Sequence, residues 1–261
     1  MQAPMTIKQY VSQMRKIPGG RFTMGRTYDI EYPDSYKNEV PAHQVDVSSF
    51  LLATTPVTVG MWREYLRFNN QLSMPEAPEW DWNDDHPMVN VSWNDIMGLD
   101  GTGGYCAWAS RVTSKRLSLP TETQYEFTAK EGDRDLKFPW GDAFDKSKVW
   151  THAGQTAKVN RTTRIHINQY GISDLCGNVK EWCFDTRRLY SPPKRDRLGY
   201  PLIKTNPTSI GSGPFAKRYR VVRGGSWIDF DPSSFRCAYR GTWNDPIYSH
   251  YFIGFRLAAR F

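Results

Sequence analysis

Alternation of hydrophobic and polar residues predicts two strands in the first fifth of the chain. Residues 17–25 read Ile-Pro-Gly-Gly-Arg-Phe-Thr-Met-Gly, in which the alternation follows a Gly-Gly turn, and residues 44–52 read Gln-Val-Asp-Val-Ser-Ser-Phe-Leu-Leu. A period of two is typical of a strand with one buried face. Before them, four hydrophobic residues between positions 7 and 14 are spaced like one face of a helix. Residues 1–15 are therefore predicted to form an N-terminal helix or tail.

Three later helices are predicted from their capping residues. Thr58 precedes a hydrophobic face, Ser92 is followed three residues later by an acid, and Thr121 is followed by Gln124. A hydroxyl at the N-cap satisfies a backbone N–H of the first turn, and an acid or amide three residues on can reach back to the cap. The glycine-rich residues 97–104 predict a loop inserted into the second of these helices or lying just before its main part.

The composition favours an α+β fold with few helices, short antiparallel strands and much ordered loop. The 261 residues include 20 Gly and 17 Pro, and 14% are aromatic. Beyond residue 130, Trp and Gly recur in short motifs and the helical signal fades. A membrane span needs a run of about 18 apolar residues, and the sequence contains no such run. Since residues 1–14 lack the apolar stretch of a signal peptide, we expect no signal peptide in this chain, which is then cytoplasmic or displayed on a surface by another route.

The net charge of +7 raises the question of a polyanionic partner. Ten of the 34 Lys and Arg residues lie between Arg187 and Arg223. A solvated loop is the simpler interpretation, and binding of nucleic acid or another polyanion is the alternative. No RNP, helix-turn-helix or zinc-finger pattern accompanies the charge, which weakens the nucleic-acid interpretation.

The cysteines and histidines do not predict a metal centre. Cys106, Cys176, Cys183 and Cys237 form no CxxC pair, and the five histidines have no metal-triad spacing. Free thiols buried in the core are the expectation.

Ten motifs in register give the chain a family resemblance. They are Ile17-Pro-Gly-Gly-x-Phe-x-Met-Gly25, Pro56-Val-Thr58, Pro87-Met-Val-Asn-Val-Ser-Trp93, Tyr105-Cys-x-Trp108, Arg116-Leu-Ser-Leu-Pro-Thr-Glu122, Tyr125-Glu126, Pro139-Trp-Gly141, Tyr170-Gly-Ile-Ser-Asp-Leu-Cys-Gly-Asn-Val-Lys-Glu-Trp182, Arg223-Gly-Gly-Ser-Trp227 and Gly254-Phe-Arg-Leu257. Together they resemble the formylglycine-generating enzyme (sulfatase-modifying factor) family. The resemblance implies one C-type lectin-like domain over residues 16–261. It does not by itself give a function.

The copper site of that family has no counterpart in this sequence. In its enzymes, two cysteines after the Gly-Gly-Ser motif bind Cu(I), which soft thiolates suit. The matching positions hold Asp229 and, nearby, Ser234, and residues 228–235 contain no cysteine. We therefore expect no copper and no formylglycine chemistry. The alternative is an oxidoreductase or maturation factor that uses another site in the same cleft.

The resemblance also implies a structural calcium ion. Carried over position by position, its ligands are the Asp174 and Glu181 side chains and the carbonyl oxygens of Gly177 and Val179. Such an all-oxygen set with two carboxylates suits Ca²⁺. A loop held by hydrogen bonds alone is the alternative.

Residues 228–252 differ in composition from the rest of the chain. Seven of these 25 residues are aromatic, and none is Lys, Glu, Gln or Met. The types that occur instead are mostly those reached from the asparagine codons AAC and AAT by changing only adenines. This pattern resembles the variable proteins of diversity-generating retroelements, which share the lectin-like fold and end at the same Gly-Phe-Arg-Leu motif.

The resemblance implies a variable region within residues 223–257 that binds diverse protein ligands through residues 228–252. Aromatic residues among Ser, Asn, Asp and Gly are typical of adaptable binding surfaces. The alternative is that these aromatic side chains pack a core. The predicted ligand-binding residues are Ile228, Asp229, Phe230, Asp231, Ser233, Ser234, Tyr239, Gly241, Trp243, Asn244, Ile247, Tyr248, Ser249, His250, Tyr251 and Phe252. The fixed frame around them comprises residues 223–227, 236–238, 240, 246 and 253–257.

Overall fold

A computed structural model describes residues 4–29, 37–69, 72–99, 103–198, 201–208, 219–241 and 244–259. The helices within these ranges are α1 (Ile7–Ser12), α2 (Val59–Arg67), α3 (Trp93–Met97), α4 (Gly104–Thr113) and α5 (Glu122–Ala129). The strands are β1 (Arg15–Ile17), β2 (Gly20–Met24), β3 (His43–Val47), β4 (Phe50–Leu52), β5 (Leu117–Ser118), β6 (Lys180–Thr186), β7 (Lys204–Thr205), β8 (Arg220–Arg223), β9 (Ile253–Gly254) and β10 (Ala258–Ala259). None of the described helices is long and apolar enough to span a membrane.

The helices begin at the capping residues that the sequence indicates. The Thr58 hydroxyl accepts from the Met61 N–H at the start of α2, and Ser92 and Thr121 each form a reciprocal capping box. α3 ends at Met97 and α4 begins at Gly104, so the glycine-rich segment separates two helices. Residues 100–102 of that segment lie outside the described residues.

The first predicted strand is found after the Gly-Gly turn as β2, but a short additional strand precedes that turn and the second predicted strand is split. β1 ends before Pro18 and β2 begins at Gly20, because Pro18 has no N–H to donate and Gly19 has a φ of 75°. A Cβ at position 19 would lie 2.3 Å from the Val47 carbonyl oxygen. The second predicted strand is divided at residues 48–49 into β3 and β4.

The strands form three small sheets. Their orders are β1-β4-β10-β5, β2-β3-β7 and β8-β6-β9. The pairs β3–β7 and β6–β9 are parallel, and the other five pairs are antiparallel. The α+β class with few helices and short strands is confirmed, and the antiparallel arrangement holds for all but these two pairs.

The third sheet determines where residues 224–252 lie, which connect β8 to β9 and which we call the C-terminal segment. β8 and β9 pair with opposite edges of β6, at Glu181↔Arg223 and Glu181↔Gly254. Residues 224–252 therefore leave the sheet on one side of β6 and return on the other. Since neighbouring strands lie about 4.8 Å apart, the two ends of this segment are held roughly 10 Å apart.

The hydrophobic core contains the four cysteines. Cys106 lies in the cluster formed by α1, α2 and α4, whereas Cys183 and Cys237 lie in the cluster beneath β2–β4 and α5. Cys176 packs with Phe235 in a third, smaller cluster. All four are free and buried, as the sequence predicts.

Candidate ligand-binding surface

Four arginines of the predicted frame are buried in ion pairs with glutamates. Each is at most 3% exposed, and each pairs with a glutamate from a distant part of the chain. The pairs are Arg223–Glu126, Arg236–Glu39, Arg240–Glu122 and Arg256–Glu181. Three of them are bidentate, with N–O distances between 2.6 and 3.0 Å. A buried guanidinium needs such a partner, so these positions fix the path of the C-terminal segment.

Between these anchors, the segment presents apolar side chains to solvent. The exposed fraction is 67% for Phe230, 71% for Ile247, 38% for Tyr248 and 37% for Tyr251. Ser249 lies among them and is exposed. We call these five residues the C-terminal surface. Their exposure contradicts the alternative that the aromatic residues of this segment only pack a core, although Phe235, which is fully buried, does pack there.

The backbone holds residues 245–250 in a fixed turn. The Asp245 carboxylate accepts from the Ile247 N–H at 3.1 Å, and the Asp245 carbonyl accepts from the Tyr248 N–H at 2.9 Å. The start of α3 binds the same turn, since the Asn94 N–H donates to the Pro246 carbonyl at 3.0 Å. An ordered backbone lowers the entropy that ligand binding must overcome.

Lys180 connects the two ends of the segment. Its Nζ donates to Asp229 Oδ1 at 2.9 Å and lies 4.9 Å from the ring centroid of Phe252. Next to Asp229, the Phe230 ring lies 4.6 Å from the His152 ring. Partial burial lowers the pKa of His250, and the nearby charge of Lys180 lowers it further. Lys180 therefore joins Asp229, at the start of the segment, to Phe252 at its end.

A tryptophan from outside the segment supports Tyr251. The Trp80 ring packs edge-on against Trp227 at 5.2 Å and against Tyr251 at 6.1 Å between centroids. Neither Trp80 nor Lys180 is among the predicted site residues. Both are far from the segment in sequence, and no local pattern indicates their contact with it. The concentration of tryptophan around Trp80 marks that stretch as unusual, but it does not indicate what the side chain contacts.

Three predicted ligand-binding residues are buried, which corrects the prediction at those positions. Ser234 and Asn244 are each 7% exposed, and Gly241 is buried. Asn244 and Gly241 are held by backbone hydrogen bonds to β8, and Ser234 lies in a short 3₁₀ helix. Trp243 lies outside the described residues.

The remaining predicted positions border the C-terminal surface. Asp231 is exposed, and the others are partly buried: Ile228, Asp229, Ser233, Tyr239, His250 and Phe252. They can contribute the rim of an interface, where side chains are polar or only partly accessible.

Asp229, which stands where the family enzymes have a copper-binding thiolate, has an ordered structural role. Its Oδ2 accepts from the Ser226 N–H at 2.8 Å and from the Ser226 hydroxyl at 2.5 Å. Its carbonyl accepts from Thr151. Burial raises the pKa of all four thiols, which leaves them in the protonated form that binds metals poorly.

The predicted calcium ligands are engaged by arginines. Both Asp174 oxygens accept from Arg161, at 2.5 and 2.8 Å, and both Glu181 oxygens accept from Arg256 at 2.6 Å. In this arrangement the donor set fits a calcium ion poorly, because the two guanidinium groups already supply the compensating positive charge. No cluster of three or more His, Cys, Asp or Glu suited to a metal occurs among the described residues.

The basic stretch from 187 to 223 is divided between core and surface. Arg187 and Arg223 are buried, whereas residues such as Lys194 and Arg197 are exposed. Lys217 and Arg218 lie outside the described residues. Among the described residues of this stretch, fewer Lys and Arg side chains are therefore exposed than the ten in the sequence suggest.

Residues 2–261 match the family model of the sulfatase-modifying factor enzyme 1-like domain. The chain belongs to this family. It is 28% identical to the inactive C-alpha-formylglycine-generating enzyme 2 of Mus musculus, over 94% of this chain and 85% of the mouse protein. It is equally 28% identical to the serine/threonine-protein kinase pkn1 of Chlamydia pneumoniae, over 95% of this chain but only 38% of the kinase's length.

A solved structure has a fold similar to that of this chain. Treponema denticola variable protein 1 superposes with a TM-score of 0.70, at 22% identity, over 95% of this chain and 94% of that protein. This likeness shows the shared fold. Relatives of this chain include one named as a formylglycine-generating enzyme and one named as inactive, so membership leaves the activity of this chain to be argued from its own residues.

Proposed function

We propose that this protein is a non-catalytic binding protein that displays a diversified C-terminal surface, through residues 228–252, to protein ligands. One observation carries the proposal: exposed apolar side chains alternate with buried, ion-paired arginines along a single segment. Phe230 precedes Arg236 and Arg240, and the exposed 247–251 turn precedes Arg256. The arginines hold the backbone, so the exposed side chains can change without disturbing it.

The chemistry of the exposed residues suits protein recognition. Tyrosine and phenylalanine provide a large contact area with few rotatable bonds, and buried aromatic residues dominate binding energy at interfaces. The exposed Ser249 among them can form adaptable hydrogen bonds. The composition of the segment, and the fold shared with a protein named as variable, support diversification as the origin of this surface.

An oxidase function has weaker support from the same region. Asp229 occupies a thiolate position of the family enzymes and is bonded to Lys180 and Ser226. The thiols of this chain lie in the core. An enzyme of another chemistry would need a nucleophile or acid–base pair at this surface, and His250 and His152 instead stack on neighbouring aromatic rings.

The nucleotide sequence of the gene and its flanks tests the proposed origin. We expect a near-copy of the codons for residues 223–257, with AAC or AAT at the exposed positions, beside a gene for a reverse transcriptase. Without such a copy, diversification by a retroelement is excluded.

Two libraries of this protein test the binding role. In the first, the five residues of the C-terminal surface are randomised; in the second, the buried Ser234, Gly241 and Asn244 are randomised. We expect most members of the first to keep the wild-type melting temperature and to yield binders against a panel of unrelated proteins. We expect most members of the second to unfold. Loss of folding in the first library, or no binders from it, contradicts the proposal.

A further inference from the structure

A basic hairpin projects from the second sheet. Its described residues are 188–198 and 201–205, and we call these the basic hairpin. The Leu202 N–H donates to the Lys194 carbonyl at 2.7 Å, and Arg195 pairs with Pro201 in an antiparallel bridge. These bonds bring the two arms together and place residues 196–198 towards the tip.

Both arms are anchored in the folded core. The Arg188 carbonyl accepts from Arg240 at 2.7 Å, and the Tyr190 ring lies 4.3 Å from the Arg240 guanidinium and 4.8 Å from the His43 ring. The returning arm pairs with β3 through β7. The hairpin is thus attached at its base on both sides.

Three leucines of the hairpin are exposed, which is unusual for side chains of this type. Leu198 is 81% exposed, Leu189 65% and Leu202 52%. Solvent exposure of one leucine is ordinary, but three in a single projecting element mark an interaction surface. None of the three belongs to the C-terminal surface.

The charges around these leucines are mostly positive. Arg188, Lys194, Arg195, Arg197 and Lys204 are exposed, and the described hairpin residues include one exposed acid, Asp196. Phosphatidylserine and similar headgroups attract such cations, while leucines enter the boundary between headgroups and acyl chains. A nucleic acid would use the cations but has no use for exposed leucines, because single strands stack on aromatic rings instead.

We propose that the basic hairpin binds the surface of anionic lipid membranes. The cations contact the headgroups, and Leu198 and Leu202 enter the interface. Since one short apolar element with a few cations gives modest affinity, the binding is reversible and weakens as the salt concentration rises. This surface would hold the protein at a membrane independently of what the C-terminal surface binds.

Sedimentation with lipid vesicles tests the proposal. The full chain is mixed with vesicles of phosphatidylcholine and phosphatidylserine, and separately with vesicles of phosphatidylcholine alone. We expect binding to the anionic vesicles, with a salt-dependent partition coefficient, and little binding to the neutral ones. The variant Leu198→Ser/Leu202→Ser should lose at least about tenfold in partition coefficient.

A matched variant controls for the general loss of exposed leucine. Leu72 and Leu99 are 46% and 90% exposed and lie outside the hairpin, so Leu72→Ser/Leu99→Ser should bind as the wild type does. Both double variants should keep the wild-type melting temperature. If the Leu198→Ser/Leu202→Ser variant still bound anionic vesicles as the wild type does, the binding would come from charge attraction alone. That result would overturn the proposal. Absence of binding to anionic vesicles would overturn it as well.

Retention on heparin separates charge attraction by the cations from contact of the leucines with the membrane interface. We expect the hairpin leucine variant to elute from heparin at the wild-type salt concentration while it loses vesicle binding. A parallel loss on heparin would show that the substitutions disturb the cations, and it would contradict a specific role of the leucines. Neither result depends on the ligand of the C-terminal surface.

Discussion

Lys180 and Asp229 form an ion pair, 2.9 Å between Nζ and Oδ1, that joins β6 to the start of the C-terminal segment. Their side chains are 15% and 16% exposed, so water screens the pair only in part. Because Lys180 also lies over the Phe252 ring, one side chain contacts both ends of the segment. The pair therefore helps to hold Asp229 and Phe252 at a fixed distance from each other.

The variant Lys180→Met should lower the free energy of unfolding by about 1–2 kcal/mol, because Asp229 loses a charged hydrogen-bond partner. Urea denaturation of this variant, of Asp229→Asn and of the double variant gives the coupling energy. We expect a coupling of about 1 kcal/mol. Strict additivity of the two single changes would show that the contact contributes nothing.

Polar substitution of the C-terminal surface should leave stability unchanged. Ile247→Ser and Tyr248→Ser should each shift the free energy of unfolding by less than about 0.5 kcal/mol, since both side chains are exposed. Phe235→Ala is the contrasting variant in the same segment. It removes a fully buried ring that packs against Gly225 and should cost about 3–5 kcal/mol. Equal effects at the two kinds of position would argue against a separate surface and frame.

The buried pair Arg256–Glu181 should be the most sensitive electrostatic contact. Arg256→Met leaves the Glu181 carboxylate without a charged partner and also removes hydrogen bonds to the Ala53 and Ser173 carbonyls. We expect a loss of about 3–5 kcal/mol in denaturant titration. Arg21→Met, which breaks the solvent-exposed pair with Asp46, is the control and should leave the denaturation midpoint almost unchanged, because water and salt screen that pair.

Calcium should have no effect on the melting temperature. Arg161 and Arg256 occupy the carboxylate oxygens that the resemblance assigns to the ion. Thermal unfolding in calcium and in chelator should therefore coincide, and a stabilising ligand would separate the curves. A higher melting temperature in calcium would instead support the predicted ligand set of Asp174, Gly177, Val179 and Glu181.

His86 should make the protein less stable in mild acid. Burial lowers its pKa below the ordinary value of about 6.5, and the nearby Lys158 lowers it further. The unfolded chain then binds the proton more readily, so the stabilising contribution is complete above pH 6.5 and is lost as the pH falls through the folded-state pKa. His86→Gln, which can keep a bond to Thr156, should show a shallower fall in melting temperature between pH 7 and pH 5.

Capping residues and strand alternation predicted most of the local structure, because they report interactions between residues close in sequence. Thr58, Ser92 and Thr121 all begin helices as expected. The additional strand β1 and the break at residues 48–49 depend on pairing with strands elsewhere in the chain, which alternation does not encode. For the same reason, the sequence does not distinguish exposed positions such as Tyr248 and Tyr251 from the predicted binding positions that are buried.

Asn244 and Gly241 illustrate the limit at the candidate site. Their side chains are small and polar or absent, as at exposed variable positions, but backbone pairing with β8 buries them. Trp80 and Lys180 were missed for the opposite reason, since their contacts with the segment span large distances along the chain. Composition indicated which segment forms the surface, while long-range pairing decides which of its residues are accessible.

The placement of β8 and β9 on opposite edges of β6 has a consequence for how freely this segment can change. The sheet fixes the two ends of the loop, so most of the entropy of closing it depends on its length and little on its side chains. That entropy grows slowly, by about 0.6 kcal/mol for each doubling of loop length. Substitutions at the exposed positions of the segment, and even modest insertions next to them, therefore change what is displayed far more than they change whether the chain folds.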